Sequence, residues 1–188
     1  MKAALFATAI ATAALAVPAS ANTVLSWSWL NGTTWIVPPS GLPAYVYKPL
    51  ENQLEPVQDQ TVYTITGYRN GYFWGRTATK LGTGDITCKA LVGSVTPEGK
   101  IYLTFTDQPY TPNVSGTTIG VGNMVAKGGQ WTMANQMSTG SSAAQVGHWA
   151  YMVQSKPGSA SWRSLPGVGK SVPEFMAQCA DAAPNTPG

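Results

Sequence analysis

The chain has 188 residues, and only 10% of them are charged, against about 25% in an ordinary soluble domain. The formal charge of +3 is spread over scattered Lys and Arg with no basic cluster, which argues against a nucleic-acid partner held through phosphate contacts. Thr, Ser, Gly, Asn and Gln are abundant instead, a composition that suits an antiparallel β protein with a hydroxyl-rich face.

Met1-Lys2, an apolar run over 3–17 and Ala19-Ser20-Ala21 form the three regions of a secretory signal peptide cleaved before Asn22. The run is too short to span a bilayer, and no later stretch reaches the roughly 18 apolar residues a span needs. The expected organisation is a signal peptide over 1–21, one β domain over 22–181 and a flexible tail over 182–188. Localisation is then secreted or periplasmic, with no transmembrane segment after signal removal.

Residues 23–36 carry Trp27 and Trp29 in alternation with serines, then Asn31-Gly32, and predict a hairpin that sets Trp27 near Ile36. A short edge strand over 42–47 follows, edge because of its prolines. Residues 48–60 read as a surface loop.

Residues 61–80 are the most legible stretch, two strand-forming runs around Asn70-Gly71, the pair preferred by a type I′ turn. The turn sets Arg69 opposite Tyr72, Tyr68 opposite Phe73 and Gly67 opposite Trp74, with the indole lying across the bare glycine. Continued, the same register sets Ile65 opposite Arg76, so that Tyr63, Ile65, Arg69, Tyr72, Trp74 and Arg76 share one face.

Further strands are expected over 86–95, 101–106, 117–126, 130–136 and 146–154, with turns or loops at 96–100, 107–116, 128–129 and 138–144. The segment 171–182 predicts a short amphipathic helix: Ser171 caps it, Pro173 sits early, and Val172, Phe175, Met176 and Cys179 share a face. Eight to ten strands joined by short turns and ended by a helix predict an all-β antiparallel meander, closed as a barrel or packed as a sandwich.

The two cysteines, Cys88 and Cys179, are an even pair in an oxidising compartment and predict one disulfide. Gly32-x-x-Trp35 near the mature N-terminus, the train of hairpins and the closing helix together resemble the calycin group of small barrels, which includes lipocalins and avidins. The group's own motif has one residue between Gly and Trp where this chain has Thr33 and Thr34. The resemblance implies a ligand cavity and carries over no ligand-binding positions.

Little in the sequence supports catalysis. His148 is the only histidine, no Gly-x-Ser-x-Gly elbow is present, and one His with a bonded Cys pair cannot make a zinc shell. Asp59, Asp85, Glu98 and Asp107 fall at expected turns or loop ends, where conformational preference explains them. No cofactor motif is found; Gly120-Val121-Gly122 lacks a third glycine and a βαβ setting.

The remaining feature is the aromatic load, seven Trp and eight Tyr. Aromatic faces beside polar groups suit a small apolar or glycan-like ligand, and the expected binding residues are Arg69, Tyr72, Trp74, Arg76 and Tyr63. Two rival readings stand beside this one. The first is a protein-interaction module such as an enzyme inhibitor acting through loops, and the second is a hydrolase built around His148.

Overall fold

The computed structural model describes residues 26–39, 43–107, 116–140 and 144–179. The expected signal peptide, the 182–188 tail and most of the loop between 107 and 116 lie outside the described residues.

Ten strands form one antiparallel sheet: β1 (Thr34–Ile36), β2 (Ala44–Lys48), β3 (Gln53–Val57), β4 (Asp59–Arg69), β5 (Tyr72–Leu81), β6 (Ile86–Val95), β7 (Lys100–Asp107), β8 (Thr118–Lys127), β9 (Gln130–Gly140) and β10 (Gln145–Ser155). From β4 to β10 each strand pairs with the next in sequence, and β1 pairs with both β4 and β10. Eight strands therefore close into a barrel, which removes the open edges a meander would expose. The β2–β3 hairpin extends the sheet from the start of β10, where Gly147 opposes Tyr45. The barrel, not the sandwich, is the fold.

The closed end is made of tryptophan. Trp27 and Trp35 are buried, Trp29 and Trp131 half-buried, and their rings lie 5.0–6.1 Å apart. Trp35 donates its indole N–H to Thr33 Oγ1 at 2.8 Å, and Thr33 Oγ1 donates in turn to Leu30 O at 2.6 Å. The hairpin expected at Asn31-Gly32 does not form. Ser28–Leu30 is a single 3₁₀ turn, and Gly32, at φ 77°, redirects the chain into β1. Burying Trp27 and Leu30 across the barrel's end outweighs the local preference for a two-residue turn.

The expectation of a surface loop over 48–60 is also corrected. Asn52, at φ 49°, turns β2 into β3, and Pro56 is tolerated because β3 is the outermost strand. Lys48 reaches Glu51 at 3.7 Å and Glu55 at 3.2 Å across this hairpin.

Two short helices, α1 (Ala160–Arg163) and α2 (Val172–Ala177), follow the barrel. Ser171 caps α2, as the sequence predicts, and Glu174 completes a capping box with it. Val172, Phe175, Leu165 and Cys179 form a second apolar cluster with Ile36, Val62 and Ala78 on the outside of β1, β4 and β5. The Cys88–Cys179 disulfide, with a Cα–Cα distance of 5.5 Å, ties this cluster to β6. None of the described helices is long and apolar enough to cross a membrane.

Candidate functional site

The β4–β5 hairpin decides which side chains enter the barrel. Near the turn the register is the expected one, with Arg69 opposite Tyr72, Tyr68 opposite Phe73 and Gly67 opposite Trp74. A Cβ at Gly67 would fall inside the Trp74 indole, so the ring does lie across a bare strand. Beyond Gly67 the register shifts. Thr66 is the extra residue of a bulge, Ile65 opposes Gly75, and Thr64 takes the place opposite Arg76.

The single face expected for Tyr63, Ile65, Arg69, Tyr72, Trp74 and Arg76 is therefore divided. Tyr63 and Ile65 are buried in the interior beside Phe73 and Thr77. Tyr72 and Trp74 are exposed on the outer wall, with Arg69 and Arg76 on the same side. The five expected binding residues do not converge on one surface.

What converges instead is a set of hydroxyls. At the end of the barrel opposite the tryptophans lies a cavity of about 220 Å³. Its wall carries Thr61, Thr77, Thr79, Thr87, Thr118 and Thr139 together with Lys89 and His148, and Tyr63, Phe105 and Met137 also line it. Thr at alternate strand positions is ordinary β chemistry, the branched side chain packing on the pleat. Here the alternation sends hydroxyls inward from β4, β5, β6, β8 and β9, two of them from β5. Thr61 opposes Thr79 and Thr118 opposes Thr139, giving oxygen pairs at 3.0 Å and 2.7 Å.

Not every hydroxyl is satisfied. Thr77 is 1% exposed, and its Oγ1 has no hydrogen-bond partner. A buried, unpaired hydroxyl costs about 1–3 kcal/mol, so such groups are rare unless something else meets them. Farther down, Asn135 is fully buried between Gly122 and Ala150 with both amide atoms unpaired. The barrel's apolar core, from Ile65 and Phe73 to Met133 and Met152, closes below.

Beside the cavity are two ionisable groups that the sequence reading kept apart. Asp59 does not lie in a turn: it opens β4 with its side chain 2% exposed, and His148 Nδ1 lies 3.6 Å from its Oδ2. Thr61 donates to Asp59 Oδ1 at 2.7 Å. The His148 contact is beyond hydrogen-bond length, and Nδ1 has no other partner. Burial raises the Asp59 carboxyl above its ordinary value, against the pull of His148 and the Thr61 hydrogen bond. Burial likewise lowers the His148 imidazole, against the pull of Asp59. Burial, reinforced by nearby Asp59, also holds the Tyr63 phenol far above its usual value, so its O–H stays available as a donor.

These directions carry a stability consequence. A carboxyl raised by folding favours the folded state most at low pH and loses that contribution as pH rises through its folded value. Asp59→Asn removes the titration while keeping an oxygen for Thr61. The variant should gain on the parent in urea midpoint as pH climbs from about 4 toward 8. A difference independent of pH would show that Asp59 is not held in its acid form by burial.

Among the described residues no group of three or more His, Cys, Asp or Glu gathers in a way that could hold a metal ion. Comparison with protein-family models, with curated proteins and with solved structures returns no match. The functional reading rests on the barrel and its cavity.

Proposed function

We propose that this chain is an exported, non-catalytic barrel that binds a small, hydroxyl-bearing ligand in the threonine-lined cup. The observation that carries the reading is Thr77, a buried hydroxyl without a partner in the wall of a cavity already lined by polar groups. A buried hydroxyl that meets no protein group lowers stability, and an apolar side chain of the same shape would remove that cost. The cup, about 220 Å³, lies below the roughly 300–1,000 Å³ of most ligand pockets, which suits a molecule no larger than a monosaccharide. Phe105 and Met137 offer an apolar surface, and the threonines and Tyr63 offer both donors and acceptors.

The calycin resemblance points the same way, since it implies a ligand inside the barrel. The disulfide supports an oxidising compartment, in line with export. Hydrolysis is the weaker reading although Asp59 adjoins His148. A triad needs the histidine hydrogen-bonded to its acid and aimed at a nucleophile. Here the acid contact is long, and the hydroxyls in the cavity wall are threonines.

The test is amide chemical-shift mapping with glucose, N-acetylglucosamine and glycerol, and with an apolar fluorescent dye as the contrasting probe. The reading expects saturable shifts at Thr61, Thr77, Thr79, Thr118, Thr139 and His148 with at least one polyol. Shifts confined to Tyr72, Trp74 and Arg76 would move the site to the outer wall and contradict it.

A further inference from the structure

The outer surface of β8, β9 and β10 carries a run of exposed apolar side chains. Ile119, Val121 and Val125 on β8, Trp149 and Tyr151 on β10, Tyr102 on β7 and Tyr45 on β2 are each 42–54% exposed. The register makes them one surface. Tyr102 opposes Val121, Val121 opposes Gln136, and Gln136 opposes Trp149; one row away, Ile119, Ser138, Gly147 and Tyr45 follow across the same strands.

The relief is specific. Between its two ends β9 shows Thr132, Ala134, Gln136 and Ser138 outward, so it forms a valley between the taller rows on β8 and β10. Two grooves of about 620 and 600 Å³ lie along it, one against Ile119, Val121 and Trp149 and the other against Val125 and Tyr151. Between these rows the face carries no charge; Lys100 and Lys127 stand at the end toward the tryptophans.

We infer that this face is where a second copy of the chain docks, with the β8 row of each copy seated in the β9 groove of the other. Three features select that occupant. The face is apolar and uncharged at its centre, so a copy turned about a twofold axis meets no like charge there. Ridge and groove lie side by side on neighbouring strands, which makes the surface complementary to itself. At ~150–250 Å² for a whole aromatic side chain, the exposed parts of these residues sum to about 600 Å². That is the top of the range for the largest patch on a monomer and close to the ~800 Å² per partner of a standard interface once the β9 side chains are added.

A bilayer is the competing occupant: Tyr72, Trp74 and Val92 carry the exposed apolar rows on to β5 and β6, but the band does not close around the barrel. Arg69 and Arg76 stand on the β4–β5 wall, and the α2 cluster covers β1, β4 and β5.

Sedimentation equilibrium of the purified chain over a wide concentration range tests the inference, alongside Val121→Glu and, as a control on the opposite wall, Trp74→Glu. The expected result is a reversible dimer for the parent and the control. Val121→Glu should weaken it by about a hundredfold or more, because the twofold brings both new charges together at the centre. Near-ultraviolet circular dichroism checks that each variant is folded. Should Val121→Glu fail to fold, amide exchange of the parent replaces it, with protection on β8–β10 expected to rise with protein concentration. A parent that stays monomeric at every concentration overturns the inference. So does a dimer that Val121→Glu leaves intact, or a monomer that binds phosphatidylcholine vesicles through this face.

Discussion

Replacing both cysteines with serine should lower the stability of this protein by about 4–5 kcal/mol, the chain-entropy value for a closed loop of some 90 residues. The bond joins β6 to the residue just beyond α2 and spans 91 positions, so its loss frees most of the barrel's chain in the unfolded state. The folded state suffers as well. α2 has six residues, too few to persist without packing, and its hold on the barrel is the burial of Val172 and Phe175 against Ile36, Val62 and Ala78. Equilibrium urea unfolding of Cys88→Ser/Cys179→Ser measures the cost. A loss under about 1 kcal/mol would mean that the helix stays docked by packing alone and that the unfolded chain is already compact.

Trp35→Ala should cost about 3–5 kcal/mol, the range for truncating a buried aromatic. Trp35 is fully buried on β1, the short strand that closes the barrel between β4 and β10. Its ring packs near Trp29, and its N–H meets a Thr33 hydroxyl that is itself tied to Leu30. Alanine leaves a cavity at the closed end and leaves Thr33 without the indole donor. Because the strand has only three residues, the closure has few other contacts to fall back on. Urea unfolding with near-ultraviolet circular dichroism reads both the stability and the tryptophan packing. A variant within about 1 kcal/mol of the parent would place the closure elsewhere.

The barrel is legible in the sequence because it is built from local devices. Asn70-Gly71 sets the β4–β5 turn, the strand 86–95 is β6 to the residue, and Ser171 with Pro173 announces the last helix. The failures are equally local in origin. Asn31-Gly32 has the same turn chemistry as Asn70-Gly71, but it sits where Trp27 and Leu30 gain more by covering the barrel's end than by pairing as a strand.

One residue divides the expected face. A period-2 reading carried past Gly67 keeps Tyr63 with Trp74 and Arg76, and the bulge at Thr66 reverses that parity. Nothing in Thr-Ile-Thr-Gly marks which residue is extra. With the parity restored, Thr61 and Thr77 point inward, and the alternating threonines of 77–79 become the visible part of the cup. Asp59 was assigned to turn chemistry because its burial depends on His148, 89 positions away, and only closure of the barrel brings the two together.

The central claim is that the hydroxyl lining serves a ligand and not the fold, and Thr77→Val tests it most directly. The substitution keeps the shape and the β-branch and removes one unpaired oxygen. In the ligand-free protein it should raise stability by about 1 kcal/mol or leave it unchanged, and it should weaken the polyol found by shift mapping about tenfold. A loss of 1 kcal/mol or more in urea unfolding, with binding unaltered, would show that Thr77 is a structural residue and would contradict the account.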